Sequence, residues 1–271
     1  MTGSDDLYQV TVVKYGTRST TRGAVYLNFP LYNESDGPIG MDYFFWVIRN
    51  DQRTVVVDTG FSPSGGRARN RTQLADFGTL FRHFGADPAI SPTVVLTHAH
   101  YDHVGNIGLF PTSKVVMAKS ELAFWSGRHA HRAMFHHSVD DDGLDSLQKL
   151  NSEGRLQLVE AETDIAPGIT VTEVGGHTPG QCVVKVGTSE GTVLLASDAI
   201  HYYEEYERDM LFMSVADLVA MYEGFDYIRG LVTSGEVDHI VAGHDPSTLS
   251  RFHPGSGEYG HLAATIGRLD G

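Results

Sequence analysis

Cysteine is almost absent: Cys182 is the single thiol in 271 residues, so no internal disulfide forms and no thiolate cluster holds a metal. Positive charge is scarce, with 20 Lys plus Arg against 34 Asp plus Glu and a formal net charge of −14. Such a chain repels phosphate backbones and anionic lipid headgroups. No nucleic-acid or membrane partner is therefore expected, and Arg67 to Arg71 is the one basic cluster. Long apolar runs are missing as well, since nowhere do about 18 apolar residues follow one another as a spanning helix requires. The start, MTGSDDLYQV, is acidic and lacks the apolar segment of a signal peptide. The expected location is cytoplasmic.

What is present suits a globular chain. Apolar residues make up 41%, aromatics 10% and charged residues 20%, ordinary values for a chain that buries a large core. The length admits one large α/β domain or a compact pair. No short-period repeat and no Pro-rich or Ser-rich linker occurs, so one domain over residues 1–271 is preferred. Strand-like apolar runs fall at Val10 to Lys14, Tyr43 to Ile48, Thr54 to Val57, Thr93 to Thr97, Lys114 to Ala118, Leu156 to Val159, Ile169 to Val174, Cys182 to Val186, Thr192 to Ala196 and His239 to Ala242. Helical stripes run through Leu74, Phe77, Leu80, Phe81 and Phe84, and through Leu218, Met221, Tyr222, Phe225, Ile228 and Leu231. Ser214 is the expected N-cap of the second, with Asp217 in its first turn. The order predicts a mixed sheet architecture with covering helices. Gly16 to Asp42 is read as a long polar loop, and a lid insertion is expected around residues 120–151.

Histidine is the abundant residue. Of 14 in the chain, three fall within His98 to His103 and four within His129 to His137. The run Thr97-His98-Ala99-His100-Tyr101-Asp102-His103-Val104-Gly105 directly follows apolar Val94-Val95-Leu96. In an extended or turning segment His98 and His100 share a side while Asp102 and His103 come from the next turn, so one loop offers ligands to two neighbouring ions. Three more apolar strands end at a candidate ligand: His177 after Gly175-Gly176, Asp198 after Ala196-Ser197, and His244 after Gly243. Five histidines and two aspartates form a nitrogen and oxygen set suited to Zn²⁺ foremost, with Mn²⁺, Fe²⁺ or Co²⁺ as alternatives. That set exceeds one tetrahedral ion, and two ions about 3.5–4 Å apart sharing a carboxylate would use all of it.

The His98 to His103 stretch matches the HxHxDH motif of the metallo-β-lactamase superfamily, and the chain resembles that family. Val57-Asp58-Thr59-Gly60 looks like its upstream (I/V)DTG element and Gly176-His177-Thr178-Pro179-Gly180 like its GHTPG turn. The resemblance implies an α/β fold, the αββα metallo-β-lactamase sandwich, as a single domain. It implies His98, His100 and His177 on one ion, Asp102, His103 and His244 on the other, Asp198 bridging them, and Asp58 behind the ligands. Within the superfamily the chain is similar to the N-acyl homoserine lactonase-like branch, in its length, in Met41 to Ile48 and in Ser197-Asp198-Ala199. Where such lactonases carry a substrate-contacting tyrosine, this chain has His201, beside Tyr202 and Tyr203.

The resemblance implies a metal-dependent hydrolase that opens a lactone or related cyclic ester of a small-molecule substrate by attack of a metal-bridging hydroxide. The alternative is an amide, lactam or thioester substrate at the same site. Asp102, His201 and Tyr202 are the candidate catalytic residues. Asp102 is placed to move a proton to the leaving group, and His201 is expected at the rim of the metal site. A serine nucleophile on a strand-to-helix elbow is a poor competitor, as are two-iron oxygen chemistry and a non-catalytic metal-binding role. Cys182 is expected to be a small buried strand residue, His129, His131, His136 and His137 to lie on the surface, and Phe124, Trp125, Met134 and Phe135 are candidates for lining the pocket. A homodimer stays open.

Overall fold

The computed structural model describes residues 7–269, so residues 1–6, which carry much of the acidic start, lie outside the described residues. Its strands are β1 (Gln9–Thr21), β2 (Pro38–Arg49), β3 (Thr54–Val57), β4 (Thr72–Gln73), β5 (Thr93–Val95), β6 (Val115–Ala118), β7 (Leu156–Val159), β8 (Glu162–Ala166), β9 (Ile169–Glu173), β10 (Cys182–Thr188), β11 (Gly191–Ser197), β12 (His239–Ala242), β13 (His253–Pro254) and β14 (Ala263–Ile266). One sheet has the order β13-β14-β1-β2-β3-β5-β6-β7, with β4 paired to β1, and the second has the order β12-β11-β10-β9-β8. The helices are α1 (Arg22–Val25), α2 (Pro63–Ala68), α3 (Phe77–His83), α4 (Tyr101–Val104), α5 (Lys119–Trp125), α6 (Ala133–His136), α7 (Asp141–Ser152), α8 (Tyr203–Arg208) and α9 (Leu218–Ser234).

Strand alternation explains why the sheets stack and why helices cover them. Side chains of successive strand residues point to opposite faces. Phe44, Trp46 and Ile48 of β2 join Val184 and Val186 of β10 in the core between the sheets, while Tyr43, Phe45 and Val47 face the opposite way, into a cluster with Leu80 and Phe81 of α3 and Leu147 of α7. In the second sheet Val193 and Leu195 face the shared core, and Leu194 and Ala196 meet Phe225 and Ile228 of α9. With both faces apolar, each sheet needs two covers, which gives the four layers α, β, β, α as one domain. A large apolar side chain buried this way contributes about 1.5–3 kcal/mol over an exposed one.

Three expectations need correction. Gly16 to Asp42 is not one long loop: β1 continues to Thr21 and β2 starts at Pro38, and they pair from Gln9 opposite Arg49 to Thr21 opposite Pro38 with a bulge between Lys14 and Gly16. Mutual backbone pairing holds this ribbon extended although its side chains are polar. Ser214 does not cap α9; the Asp217 carboxylate accepts the Val219 and Ala220 N–H groups at 2.9 and 3.1 Å. Leu74 precedes α3, which starts after Asp76, the residue whose carboxylate takes the Thr79 N–H. The segment where a lid insertion is expected carries α5, α6 and α7. No helix among the described residues is long and apolar enough to cross a membrane.

Candidate metal centre

The ligand-bearing strands end together because of their directions. β3 and β5 are parallel, β11 and β12 are parallel, and β9 runs antiparallel to β10, itself antiparallel to β11. The Cys182 N–H donates to the Thr97 carbonyl at 2.9 Å, joining the two sheets at that edge. Two buried clusters result. Ligand atoms of His98, His100, His177 and Asp198 lie within 4.8 Å of one another, as do those of Asp102, His103 and His244. Asp198 stands between them, its Oδ2 3.2 Å from His177 Nε2 and 3.7 Å from His98 Nε2, its Oδ1 3.1 Å from His244 Nε2 and 3.3 Å from His103 Nε2.

Three of the imidazoles are aimed by what their other nitrogen meets. His103 Nδ1 is 2.7 Å from Asp58 Oδ2, His177 Nδ1 donates to the Ser214 carbonyl at 2.7 Å, and His244 Nδ1 to the Asp42 carbonyl at 2.7 Å. Asp58 also accepts the Thr97 N–H at 2.8 Å and the Thr97 hydroxyl at 2.7 Å, from a left-handed backbone with φ of 61°. Gly176, just before His177, has φ of 85°, and a Cβ there would lie 2.6 Å from the Met221 Cα; a side chain would be strained and would collide with α9. Buried Glu121 of α5 accepts the Ala99 and Gly180 N–H groups, both at 2.9 Å, and the Trp125 indole N–H at 2.7 Å. It thereby ties the His98–His103 loop to the turn after His177.

The residues present fit metal ions. Nε2 of His98, His103 and His244 and Oδ1 of Asp198 are buried and without hydrogen-bond partners. An unsatisfied buried polar atom costs about 1–3 kcal/mol, and lone pairs converging without donors are what cations satisfy. Burial holds His98, His100 and His177 below the ordinary histidine pKa, in the neutral form that ligates.

His201 corrects the rim expectation. It is fully buried, with Nε2 3.1 Å from Asp198 Oδ2, Nδ1 3.3 Å from Glu205 Oε2, and its ring stacked on Phe212 at 3.8 Å. A turn after Ser197, in which the Ala199 N–H bonds the Ala196 carbonyl, tucks it inward, where a buried carboxylate on α8 meets it. Burial alone would lower its pKa, but Asp198 and Glu205 outweigh that and lift it to about 9. The Tyr202 hydroxyl donates to the Gly40 carbonyl at 3.0 Å and the Tyr203 hydroxyl to the Ile240 carbonyl at 3.1 Å.

Above the ligands opens a cavity of about 280 Å³ whose lining includes Arg18, Tyr43, Arg71, Tyr101 and Phe212. A narrower cleft beside His100 and His177 is lined by Phe124, Trp125, Met134 and Phe135, the pocket candidates of the sequence. His129, His131 and His137 are exposed, and His136 is partly buried against Asp141. Cys182 is buried. The string Gly187-Thr188-Ser189-Glu190-Gly191 has the G-x-S-x-G spacing, but it forms the β10–β11 hairpin turn, not a strand-to-helix elbow. Arg18, Tyr43, Glu121 and Glu205 escaped the sequence reading; only Arg71 carried a signal, as part of the basic cluster.

Paired His/Asp clusters at one edge of an αββα sandwich mark a metal-dependent hydrolase, with donors enough for two ions. Residues 41–244 match the metallo-beta-lactamase superfamily, and the chain belongs to that family. It is similar to the N-acyl homoserine lactonase AttM of Azorhizobium caulinodans, 30% identical over 181 residues that cover 65% of this chain and 66% of the relative. It is also similar to the N-acyl homoserine lactonase AiiA of Bacillus thuringiensis subsp. kurstaki, 21% identical over 224 residues, 76% of this chain and 82% of the relative. Among solved structures, an N-acyl homoserine lactone hydrolase with N-hexanoyl-L-homoserine at its catalytic metal centre superposes with TM-score 0.73 at 17% identity, over 90% of this chain and 96% of that one. The dizinc quorum-quenching lactonase AidC superposes with TM-score 0.71 at 16% identity, over 98% and 100%. The lactonase-like branch is thus the part of the superfamily that the chain resembles.

Proposed function

We propose that the protein hydrolyses a lactone or related cyclic ester. The observation that carries this reading is Asp198, which presents one carboxylate oxygen to each of two histidine-rich clusters at the floor of a cleft of small-molecule size; the lactonases among its relatives support the substrate class. His98, His100 and His177 would hold one divalent ion and Asp102, His103 and His244 the other, with Asp198 placed to serve both. Zn²⁺ suits this set best, with Mn²⁺, Fe²⁺ and Co²⁺ as alternatives. Such a pair supplies Lewis acidity and a water acidic enough to be a nucleophile near neutral pH.

The chain's own groups do the rest. The overall reaction adds water across the acyl C–O bond of the ring, leaving a hydroxycarboxylate and one proton. Asp102, itself one of those ligands and part of the cleft lining, takes up the proton that the attacking water loses and hands it to the departing alkoxide. His201, its Nδ1 against Glu205 and its Nε2 3.1 Å from Asp198 Oδ2, packs behind that carboxylate and sets its orientation; it is a positioning residue. Tyr202 backs this region from the core, its hydroxyl held by Gly40. Phe124, Trp125 and Phe135, within the 120–151 segment, form an apolar wall that excludes water beside the reacting carbonyl. Elemental analysis tests the site: about two ions per chain are expected, and one or none removes the dinuclear reading. A panel of lactones, amides, lactams and thioesters, each with and without chelator, tests the substrate class. Chelator-sensitive turnover of lactones supports the proposal, and turnover confined to another class overturns it.

A further inference from the structure

The cleft carries cations that the metal centre does not use, and they bear on which lactone enters, an inference that rests on the hydrolase reading above. Arg18 on β1 and Arg71 just before β4 both line the cavity beside Asp102, with Tyr43 and Tyr101 between. Neighbouring Arg69 pairs with Asp140 at 2.7 Å, and Arg22, Arg155 and Arg229 also sit on carboxylates. Among the described residues Arg18 and Arg71 form no such pair. Arg18 Nε is buried without a hydrogen-bond partner. Arg71 Nε donates to the Tyr101 hydroxyl at 3.0 Å and its Nη1 to the Arg69 carbonyl, which orients the guanidinium without pairing it to a carboxylate.

The strand register sharpens the point. β1 and β4 pair Gly16 with Gln73 and Thr17 with Thr72, which leaves Arg18 and Arg71 at the same end of that short ladder. Like charges brought together across two strands are unfavourable. In a chain of net charge −14, with carboxylates in excess, two unpaired guanidiniums facing one cavity are an anion site. The acidic side chains nearest them in the cavity, Asp102 and Asp198, belong to the metal clusters. The planar guanidinium fork matches a carboxylate. We propose that the substrate is a small lactone bearing a carboxylate substituent, clamped by Arg18 and Arg71, with the Tyr43 and Tyr101 hydroxyls alongside, so that its ring carbonyl sits over the metal clusters.

Because hydrolysis itself creates a carboxylate, the test separates that group from a substituent already on the substrate. Zinc-loaded protein is titrated by calorimetry with 2-hydroxyglutarate, the ring-opened form of γ-butyrolactone-γ-carboxylate, and with 4-hydroxypentanoate, which has methyl in place of the second carboxylate. Wild type is expected to bind the dicarboxylate about ten to a hundredfold more tightly. Arg18→Gln and Arg71→Gln should each erase most of that preference with zinc content and Tm unchanged, while Arg71→Lys keeps part of it. Absence of the preference, or a preference that survives both Gln variants and so reflects chelation by the metals, overturns the clamp. Turnover of the two parent lactones is measured alongside. If neither lactone is opened while the Arg-dependent preference holds, the lactonase reading fails and the anion site stands. If both are opened equally with no binding preference, the clamp alone fails.

Discussion

Replacing Glu121 tests how far the metal centre depends on a residue that touches no metal. Its carboxylate is fully buried and accepts three N–H groups, from Ala99, Gly180 and the Trp125 indole, at 2.7–2.9 Å. Ala99 lies between His98 and His100, and Gly180 closes the turn begun by His177. In Glu121→Ala every one of these donors loses its acceptor, at about 1–3 kcal/mol each. The loss is offset in part: burial pushes the Glu121 pKa up, against the donors, so the anion carries a desolvation cost that alanine removes. A net destabilisation of about 3–5 kcal/mol follows, a large share of the ~5–15 kcal/mol typical of a folded domain. Glu121→Gln keeps the volume and one acceptor oxygen but turns an NH₂ toward a donor, for about 2–4 kcal/mol. Thermal unfolding of the metal-free proteins isolates this structural part, with Tm expected to fall by roughly 5–15 °C for the Gln variant. Competition with a chromogenic chelator then reads the positioning part, a zinc affinity about ten to a hundredfold weaker. A Gln variant with wild-type apo Tm and wild-type zinc affinity would refute the reasoning.

The other predictions concern residues farther out. His201→Ala should lower kcat by about ten to a thousandfold, with KM and zinc content little changed, because it orients Asp198 and not the substrate; unchanged kcat would remove that role. Cys182→Ala should keep its rate, since burial pushes the thiol pKa well up and the sulfur sits 3.4 Å from the Gly180 carbonyl; a rate loss of about a hundredfold with metal intact would make the thiol a participant. Burial would raise the Glu204 pKa, but hydrogen bonds from Arg22 and Tyr26 hold it below the ordinary carboxylate value. Its contribution to stability is therefore present above the unfolded-state pKa, near 4.3, and lost as pH falls through the lower folded-state value. The stability gap between wild type and Glu204→Gln, followed by urea unfolding, should shrink as the solution is acidified, and a gap that widens would contradict the sign.

Much of the metal centre was legible in the chain because its signals are local. His98 to His103 supply four candidate ligands from one loop, and each remaining candidate follows an apolar run that alternation or length marks as a strand. The period of side chains along a strand is intrinsic to the backbone, so those runs and their ends are written in neighbouring residues. β8, β13 and β14 lacked such a pattern: β8 opens with three polar residues and has none fully buried, β13 has two residues, and β14 is four residues of mixed character. The supports of the site are encoded differently. Ala99 and Glu121 are 22 residues apart, His177 and Ser214 are 37 apart, and His244 and Asp42 are 202 apart. Two of these partners contribute only a backbone carbonyl, which every residue has, so no residue type marked them. The burial of His201 and the meeting of Arg18 and Arg71 at one end of a ladder likewise arise only when α8 packs on the sandwich and β4 pairs with β1. Ligand identity was set by side-chain chemistry within a few residues, whereas the orientation of each ligand and the charge of the cleft above it depend on contacts that exist only once distant segments have folded against one another.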